Sequence, residues 1–508
     1  MTIIMRFLDD FIDKTTMYRL VLYYLGGLLA AAFVLGFFKL VPPDPTAIAF
    51  STVLILGSCW VGNWVFTTVF RTPANTESVY ITALIIALIM TPVTATDLAG
   101  VGGLICASVW AIASKFIFAI GKKHIFNPAA VGVALSALLL NQPATWWVGG
   151  PLTLLPLVLV GGLFIGHKLQ RFDMIGAFIA ANLVIVAVAA PQGGLLNSIS
   201  ETVLHSSIFF LAFAMLTEPL TSPQARWPRI AYGALVGVLA APSIHIGGYY
   251  LTPEIALLVG NVFAYVVSPK GRFALTLVKI EQAANGAYDF VFKSDRKVNF
   301  QPGQYLEWTL GVKHADNRGN RRSFTIASAP TEAEVRLGVK FYPEASAFKR
   351  ALAAMRPGDE IYASQLAGNF VLPKNPDTKL AFIAGGIGIT PFRSMLQYLI
   401  DKRERREVVV LYGNAKVKDI AYGDVLERAE SELGIKTVYA VAAEPTPVKG
   451  THAGFIDAEL IRRQVPDFKE RTFFLSGPHV MVDNFKRMLR EMGVPRSRIK
   501  TDFFPGLA

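Results

Sequence analysis

Arg322-Ser323-Phe324-Thr325 places a cation, a flat ring and a hydroxyl within four positions. A flavin needs these three features: a cation for its pyrophosphate, a ring beside the isoalloxazine and a hydroxyl near its reactive nitrogen. Such quartets are common in strands, so this one reads equally well as ordinary sheet surface. Glu344-Ala345-Ser346 comes next, ahead of a helical run with Phe348, Ala351 and Leu352. Ser346 is an N-cap candidate, and a helix start attracts phosphate. The plain alternative is a cap without a ligand. The third stretch is Ala381-Phe382-Ile383-Ala384-Gly385-Gly386-Ile387-Gly388-Ile389-Thr390-Pro391, a buried strand running into glycines and then a helix from about Phe392. Glycines let backbone N–H groups approach a pyrophosphate, and the helix start adds a favourable field. A tight strand-to-helix turn without a ligand would look the same. The stretch is not a Gly-x-Gly-x-x-Gly fingerprint, and no ribose-binding acid follows at the usual distance.

Elements must hold these residues. Phe273-Ala274-Leu275-Thr276-Leu277-Val278 and Tyr288-Asp289-Phe290-Val291-Phe292 read as strands, and Pro302-Gly303-Gln304-Tyr305 as a turn into another. Short strands at this spacing predict a small antiparallel β-barrel over 271–375. After Pro373 the pattern becomes strand, glycine turn and helix, which predicts an α/β unit with a parallel sheet over 376–508. That unit also contains Leu411-Tyr412-Gly413-Asn414, Phe474-Leu475-Ser476-Gly477-Pro478-His479-Val480-Met481 and the final Asp502-Phe503-Phe504-Pro505-Gly506-Leu507-Ala508.

In this order and spacing, the motifs of 271–508 resemble the ferredoxin–NADP reductase superfamily. The resemblance implies FAD held by Arg322, Phe324, Thr325 and Ser346. It implies NADH or NADPH on Gly385, Gly386, Gly388, Thr390 and Pro391, with Gly477, Pro478 and Met481 near the nicotinamide and Phe504 over the flavin ring. Thr325 and Ser476 become the candidate catalytic residues. Two departures stand out. Ser476 occupies the position where the family usually has Cys, and Leu507-Ala508 replaces the common terminal Tyr. Lys416 and Lys418 could meet a 2′-phosphate, or be solvated loop charges. The absence of an Arg there leans the reading to NADH.

The first half is different in kind. Residues 20–268 are almost continuously apolar, and the mean hydropathy of the 508-residue chain is +0.43. A helical membrane domain is therefore expected over 20–270. Ten apolar segments are read at about 21–38, 49–69, 79–92, 98–119, 127–141, 152–167, 175–190, 206–217, 229–246 and 254–268. Arg19, Arg71, Lys122, Lys123, Lys168, Arg171, Arg226, Arg229, Lys270 and Arg272 fall on one side of this pattern, while the other receives Lys39 and almost nothing else. That asymmetry puts a 1–19 N-terminal segment and the C-terminal module in the cytoplasm. It also accounts for the net charge of +12 without nucleic acid. Met1 to Arg19 is a mixed-charge stretch rather than a signal peptide. Cys59 and Cys106 lie inside apolar segments, with no cluster for an iron–sulfur centre. Thr91-Pro92-Val93-Thr94 and Glu218-Pro219-Leu220-Thr221 close segments five apart, a hint of inverted repetition.

Gly121-Lys122-Lys123-His124-Ile125-Phe126-Asn127-Pro128-Ala129-Ala130, the Glu77–Pro92 stretch, Met215–Pro223 and the region from Gly247 to Asn261 resemble the flavin-carrying membrane protein family common to the sodium-pumping NADH:quinone reductase and the Rnf complex. The resemblance implies a ten-helix module that binds flavin and relays electrons. Those proteins attach FMN to a threonine in a loop where this chain has Asn141-Gln142-Pro143-Ala144-Thr145-Trp146-Trp147. Only Ala144-Thr145 resembles that segment, so a non-covalent FMN or riboflavin is expected, near Asn127, Thr91, Glu218 and Thr221. These residues read equally as helix breaks with satisfied backbone.

Together the halves predict a multi-pass protein of the inner (cytoplasmic) membrane, with both termini cytoplasmic. It would pass electrons from NAD(P)H through FAD and a membrane flavin to quinone or an extracytoplasmic acceptor, in contact with lipid and with possible partner subunits. A transporter driven by the reductase and a haem-containing transmembrane reductase stay open as alternatives, as does a simple membrane anchor.

Overall fold

A segment immersed in hydrocarbon has no water to satisfy its backbone, so it must close its own hydrogen bonds. The apolar half of this chain does so with helices. The computed structural model describes residues 15–70, 76–120, 123–268, 272–311, 320–342, 345–444 and 450–502. The chain divides into two compact units, Met1–Ser268 and Pro269–Ala508.

The first unit contains α1 (Met17–Phe37), α2 (Pro45–Phe70), α3 (Thr76–Ile89), α4 (Leu98–Ile117), α5 (Pro128–Leu140), α6 (Leu155–Leu169), α7 (Phe172–Ala189), α8 (Leu195–Leu204), α9 (Ile208–Met215), α10 (Arg226–Leu239) and α11 (Pro253–Val267). Among the described residues α1, α2, α4 and α7 are each long and apolar enough to cross a membrane, and α8 with α9 forms a pair bent by 54°. α8 falls between the apolar segments expected at 175–190 and 206–217. Its Asn197, Ser198, Ser200 and Glu201 interrupt the apolar run, yet they fit one amphipathic helix. The short helices end on satisfied groups. Thr145 and Trp146 donate their backbone N–H to Ile89 O at 3.0 and 2.8 Å, closing the end of α3. Asn127 Oδ1 accepts the Ala130 N–H at 3.1 Å and caps α5. Helices also pack closely: a Cβ on Gly132 of α5 would sit 2.2 Å from Ala107 O of α4, so only glycine fits.

The second unit has two lobes. The first contains β1 (Phe273–Ala284), β2 (Ala287–Ser294), β3 (Tyr305–Thr309), β4 (Arg321–Thr325), β5 (Val335–Lys340), α12 (Ala347–Ala353) and β6 (Glu360–Ala367). The strands form one antiparallel sheet in the order β4-β3-β6-β1-β2-β5. Its two edges meet where Ala327 N–H donates to Arg336 O at 2.9 Å. Alternate residues point inward, and Phe290, Phe292, Leu306 and Trp308 make the core.

The other lobe contains β7 (Leu380–Gly385), α13 (Thr390–Lys402), β8 (Val408–Asn414), α14 (Gly423–Leu433), β9 (Lys436–Val441), β10 (Thr451–Ala453), α15 (Ala458–Gln464), β11 (Thr472–Ser476), α16 (His479–Glu491) and β12 (Ile499–Thr501). Its sheet is parallel, in the order β10-β9-β8-β7-β11-β12. Every residue of β7 is buried, as expected for a central parallel strand covered on both faces.

Candidate functional site

The carboxyl ends of parallel strands are where such sheets bind ligands, and the glycine motifs converge there. β7 ends at Gly385, Gly386–Ile389 make a single tight turn, and Thr390-Pro391 opens α13. Proline suits a first helical turn because its missing N–H is not needed there. Gly386 has φ +51°, and a Cβ on it would meet open space. A Cβ on Gly388 would lie 2.6 Å from Gly477 Cα, and one on Gly385 would lie 2.3 Å from Met481 Sδ and 3.3 Å from Pro478 Cδ. The two glycine elements, far apart in sequence, therefore press against each other with no room for side chains. Thr390 turns inward and donates to Ile387 O at 3.2 Å.

Beside this cradle stands a cluster that sequence reasoning only half found. Thr325 ends β4, and Ser476 ends β11. Both are buried. Asp502 follows β12, which pairs with β11 so that Leu475 faces Thr501. Ser476 Oγ donates to Asp502 Oδ2 at 3.2 Å, and Thr325 hydrogen-bonds the same carboxylate. Burial pushes the Asp502 carboxyl up to about 7, and the two hydroxyl bonds hold it below where burial alone would leave it. Asp502 opens the final stretch of the resemblance, but the sequence assigns it no role. A lone carboxylate closing the last short strand was the available signal.

Arg322 is 6% exposed, with its guanidinium carbon 5.5 Å from the Phe348 ring centroid, and Phe324 meets the same ring at 5.9 Å. Ser346 Oγ accepts the Lys349 N–H at 3.3 Å, so Ser346 does cap α12. Arg322, Phe324, Thr325 and the α12 start thus share one edge of the antiparallel lobe. Glu344 and Phe504 lie outside the described residues. At the end of β8, the exposed Lys416 and Lys418 ride a turn fixed by carboxylates: Lys416 N–H donates to Asp419 at 3.2 Å and Val417 N–H to Glu444 at 2.8 Å.

In the first unit Asn127 and Thr221 meet on Glu218. Asn127 Nδ2 donates to Oε2 at 2.9 Å, Thr221 Oγ1 to the same oxygen at 3.1 Å, and His124 Nε2 lies 3.1 Å from Oε1. Asn261 of α11 accepts the Asn127 N–H at 2.8 Å and donates to Thr221 O at 3.1 Å. Thr91 is elsewhere, 3.3 Å from Thr145 Oγ1. A cavity of about 710 Å³ opens beside Thr145, lined also by Lys39, Trp146, Trp147, His205 and Ser206, and it includes neither Asn127 nor Thr221.

Residues 149–269 match the NQR2, RnfD, RnfE family, and residues 382–487 match the oxidoreductase NAD-binding domain. The glycine betaine monooxygenase reductase subunit of Pseudomonas aeruginosa is 26% identical over 239 residues, which are 46% of this chain and 64% of that protein. The NADPH oxidoreductase of Mycobacterium tuberculosis is 29% identical over 199 residues, 38% of this chain and 50% of that protein. The chain therefore spans 50% to 64% of the length of these two curated relatives. The flavohem-like FAD/NAD-binding domain of nitric oxide dioxygenase from Vibrio cholerae is 20% identical over 46% of this chain and 98% of that one, with a TM-score of 0.41. Along this chain, a segment that matches the NQR2, RnfD, RnfE family thus precedes one that matches an oxidoreductase NAD-binding domain.

Proposed function

We propose that this chain is an NAD(P)H-oxidising membrane flavoprotein. Electrons enter at FAD in the second unit, pass to a non-covalent FMN or riboflavin in the first, and leave to quinone or an extracytoplasmic acceptor. The observation that carries this reading is the meeting of Thr325, Ser476 and Asp502 beside the glycine cradle of Gly385, Gly388 and Gly477. FAD, when bound, takes a hydride as an electron pair and releases electrons singly.

The residues fit that cofactor pair. Arg322 supplies a fixed cation for a pyrophosphate, with Phe324 beside it and Ser346 at the α12 start. The bare backbone of Gly386 faces open space where a dinucleotide could approach. Thr325 offers its hydroxyl at the end of β4. Asp502, with a pKa of about 7, can hold a proton near neutral pH and release it through Ser476 Oγ. Gly477, Pro478 and Met481 bound the space beside Gly385 that a nicotinamide would enter. Asp419 and Glu444 hold the Lys416–Lys418 turn, and two carboxylates at that rim favour a cofactor without a 2′-phosphate, hence NADH.

For the membrane flavin, the cavity beside Thr145 suits better than the Glu218 cluster, where Asn127 and Thr221 already donate to the Glu218 carboxylate. Its size falls in the range of about 300 to 1,000 Å³ usual for small-molecule sites. Two tryptophans offer flat surface, while Lys39 offers charge and His205 a ring nitrogen for a phosphate. The basic loops favour an inner-membrane protein with ten crossings and both termini cytoplasmic.

The test is a cofactor inventory of the detergent-purified chain, with spectra before and after NADH. FAD plus a second flavin, both bleached, supports the relay. FAD alone leaves only an anchored reductase, and a haem band moves the chain to another class of transmembrane reductase.

A further inference from the structure

We infer that Asp289 and Tyr422 form a latch between the lobes of the second unit, holding the glycine turn 385–391 in register with Thr325 for hydride transfer. The inference rests on the reading that this turn takes NAD(P)H and the antiparallel lobe takes FAD. Neither residue belongs to a sequence motif, and both act as positioning residues.

Asp289 sits on β2 and is 2% exposed. A carboxylate so deeply buried persists only when its oxygens are well paired. One oxygen faces Arg336 Nη1 of β5 at 3.0 Å, within its own lobe. The other accepts the Tyr422 hydroxyl at 3.1 Å, from the nucleotide lobe. Arg336 is shared with Glu281 at 2.8 Å and approached by Glu332 at 3.6 Å, so its orientation is fixed. Tyr422 has φ +56°, a conformation that L residues rarely adopt, immediately before α14. Its hydroxyl bond to Asp289 is one reason for it to stay there.

The latch touches the cradle directly. A Cβ on Gly338 of β5 would lie 2.4 Å from the Tyr422 hydroxyl and 2.6 Å from Thr390 Cγ2. The strand that carries Arg336 therefore abuts both the latch tyrosine and the threonine that ends the glycine turn. A second connection runs in parallel. Arg393, one turn into α13, lies with its guanidinium carbon 5.9 Å from the Tyr422 ring centroid. It donates to Ala327 O at 3.1 Å and to Glu332 at 2.9 Å. Ala327 is two residues beyond Thr325, and Ser394 Oγ donates to Ser328 O at 2.6 Å. The start of α13 is thus referenced to the segment that carries the flavin-side hydroxyl. Rate depends steeply on such registry, since a misplacement of about 1 Å can cost on the order of 10²-fold.

The experiment uses the full chain in detergent. Tyr422→Phe removes one hydroxyl and keeps the ring, while Asp289→Asn keeps an acceptor and loses the charge. Four readouts are taken: FAD content, the split between kcat and KM for NADH, the isotope effect with 4-deuterated NADH, and backbone hydrogen exchange without nicotinamide. For Tyr422→Phe we expect unchanged FAD content and a kcat lowered roughly 10-fold, with KM moved less than about twofold. The isotope effect should change, and exchange should quicken in β5 and the start of α13. Asp289→Asn should fall between this variant and the parent, and it decides the question by the same readouts if Tyr422→Phe does not fold. Parental kcat, isotope effect and exchange overturn the latch, as does a rate loss matched by loss of FAD. A parent chain that NADH does not bleach defeats the underlying reading and the latch with it. A bleached parent with an unaltered variant defeats the latch alone.

Discussion

Ser476 Oγ reaches Asp502 Oδ2 at 3.2 Å and so ties the end of β11 to the end of β12, with Thr325 bonded to the same carboxylate. Folding raises the Asp502 pKa to about 7, so the folded chain binds this proton more tightly than the unfolded one. The carboxyl is therefore neutral in both states at low pH, and stability falls as pH rises from about 4 through about 7. Asp502→Asn removes that loss. Melting of the flavin-free chain should show variant and parent equal near pH 4, with the variant more stable at pH 8 by roughly 2 kcal/mol, about half the full-burial value because the group is partly exposed. Equal melting at both pH values would show that the carboxyl is not desolvated.

Arg322 contributes a buried charge to the proposed FAD site. Removing a charged hydrogen-bond donor costs roughly 2 kcal/mol, about 30-fold in affinity. Arg322→Ala should lose FAD on gel filtration, and Arg322→Lys should keep only part of it, because an ammonium does not reproduce the planar fork. Retention of full flavin by Arg322→Ala would remove this residue from the site.

Local patterns were legible in the sequence because local physics sets them. A buried strand followed by glycines can do little but turn, and Ser346 caps α12 through its own backbone neighbour Lys349. The antiparallel-to-parallel change after Pro373 follows from strand spacing in the same way. Asp502 was not legible, because only the pairing of β11 with β12, across 26 residues, brings it to Ser476. Tyr422 and Asp289 are 133 positions apart and meet only through lobe packing. In the membrane unit, Asn127 and Thr221 stand out in the sequence by their types, and they do meet. What they meet is Glu218, in a self-satisfied cluster rather than at the cavity beside Thr145.

Gly388 tests how tightly the cradle is built. A Cβ there would collide with backbone atoms of Ser476 and Gly477, which cannot swing aside as a flexible side chain could. Gly388→Ala should therefore displace one glycine element and slow flavin reduction by NADH by about 10²-fold. FAD content should stay at the parental level, since the FAD residues lie in the other lobe. Stopped-flow bleaching with parallel flavin extraction separates the two effects, and a parental bleaching rate would mean that the cradle yields without consequence.

The cavity beside Thr145 offers one cationic side chain, Lys39, and an imidazole, His205, next to Trp146 and Trp147. Charge matters to FMN, which carries a phosphate, and not to riboflavin, which lacks one. Replacing both Lys39 and His205 by Ala should therefore lower extracted FMN several-fold, given roughly 1.5 to 3 kcal/mol for a hydrogen bond to a charged group. FAD should be unaffected, because its site is built from the other unit. A second flavin that is riboflavin in the parent and survives the double substitution would point to stacking on the tryptophans alone. Unchanged FMN in the variant would move the membrane flavin away from this cavity.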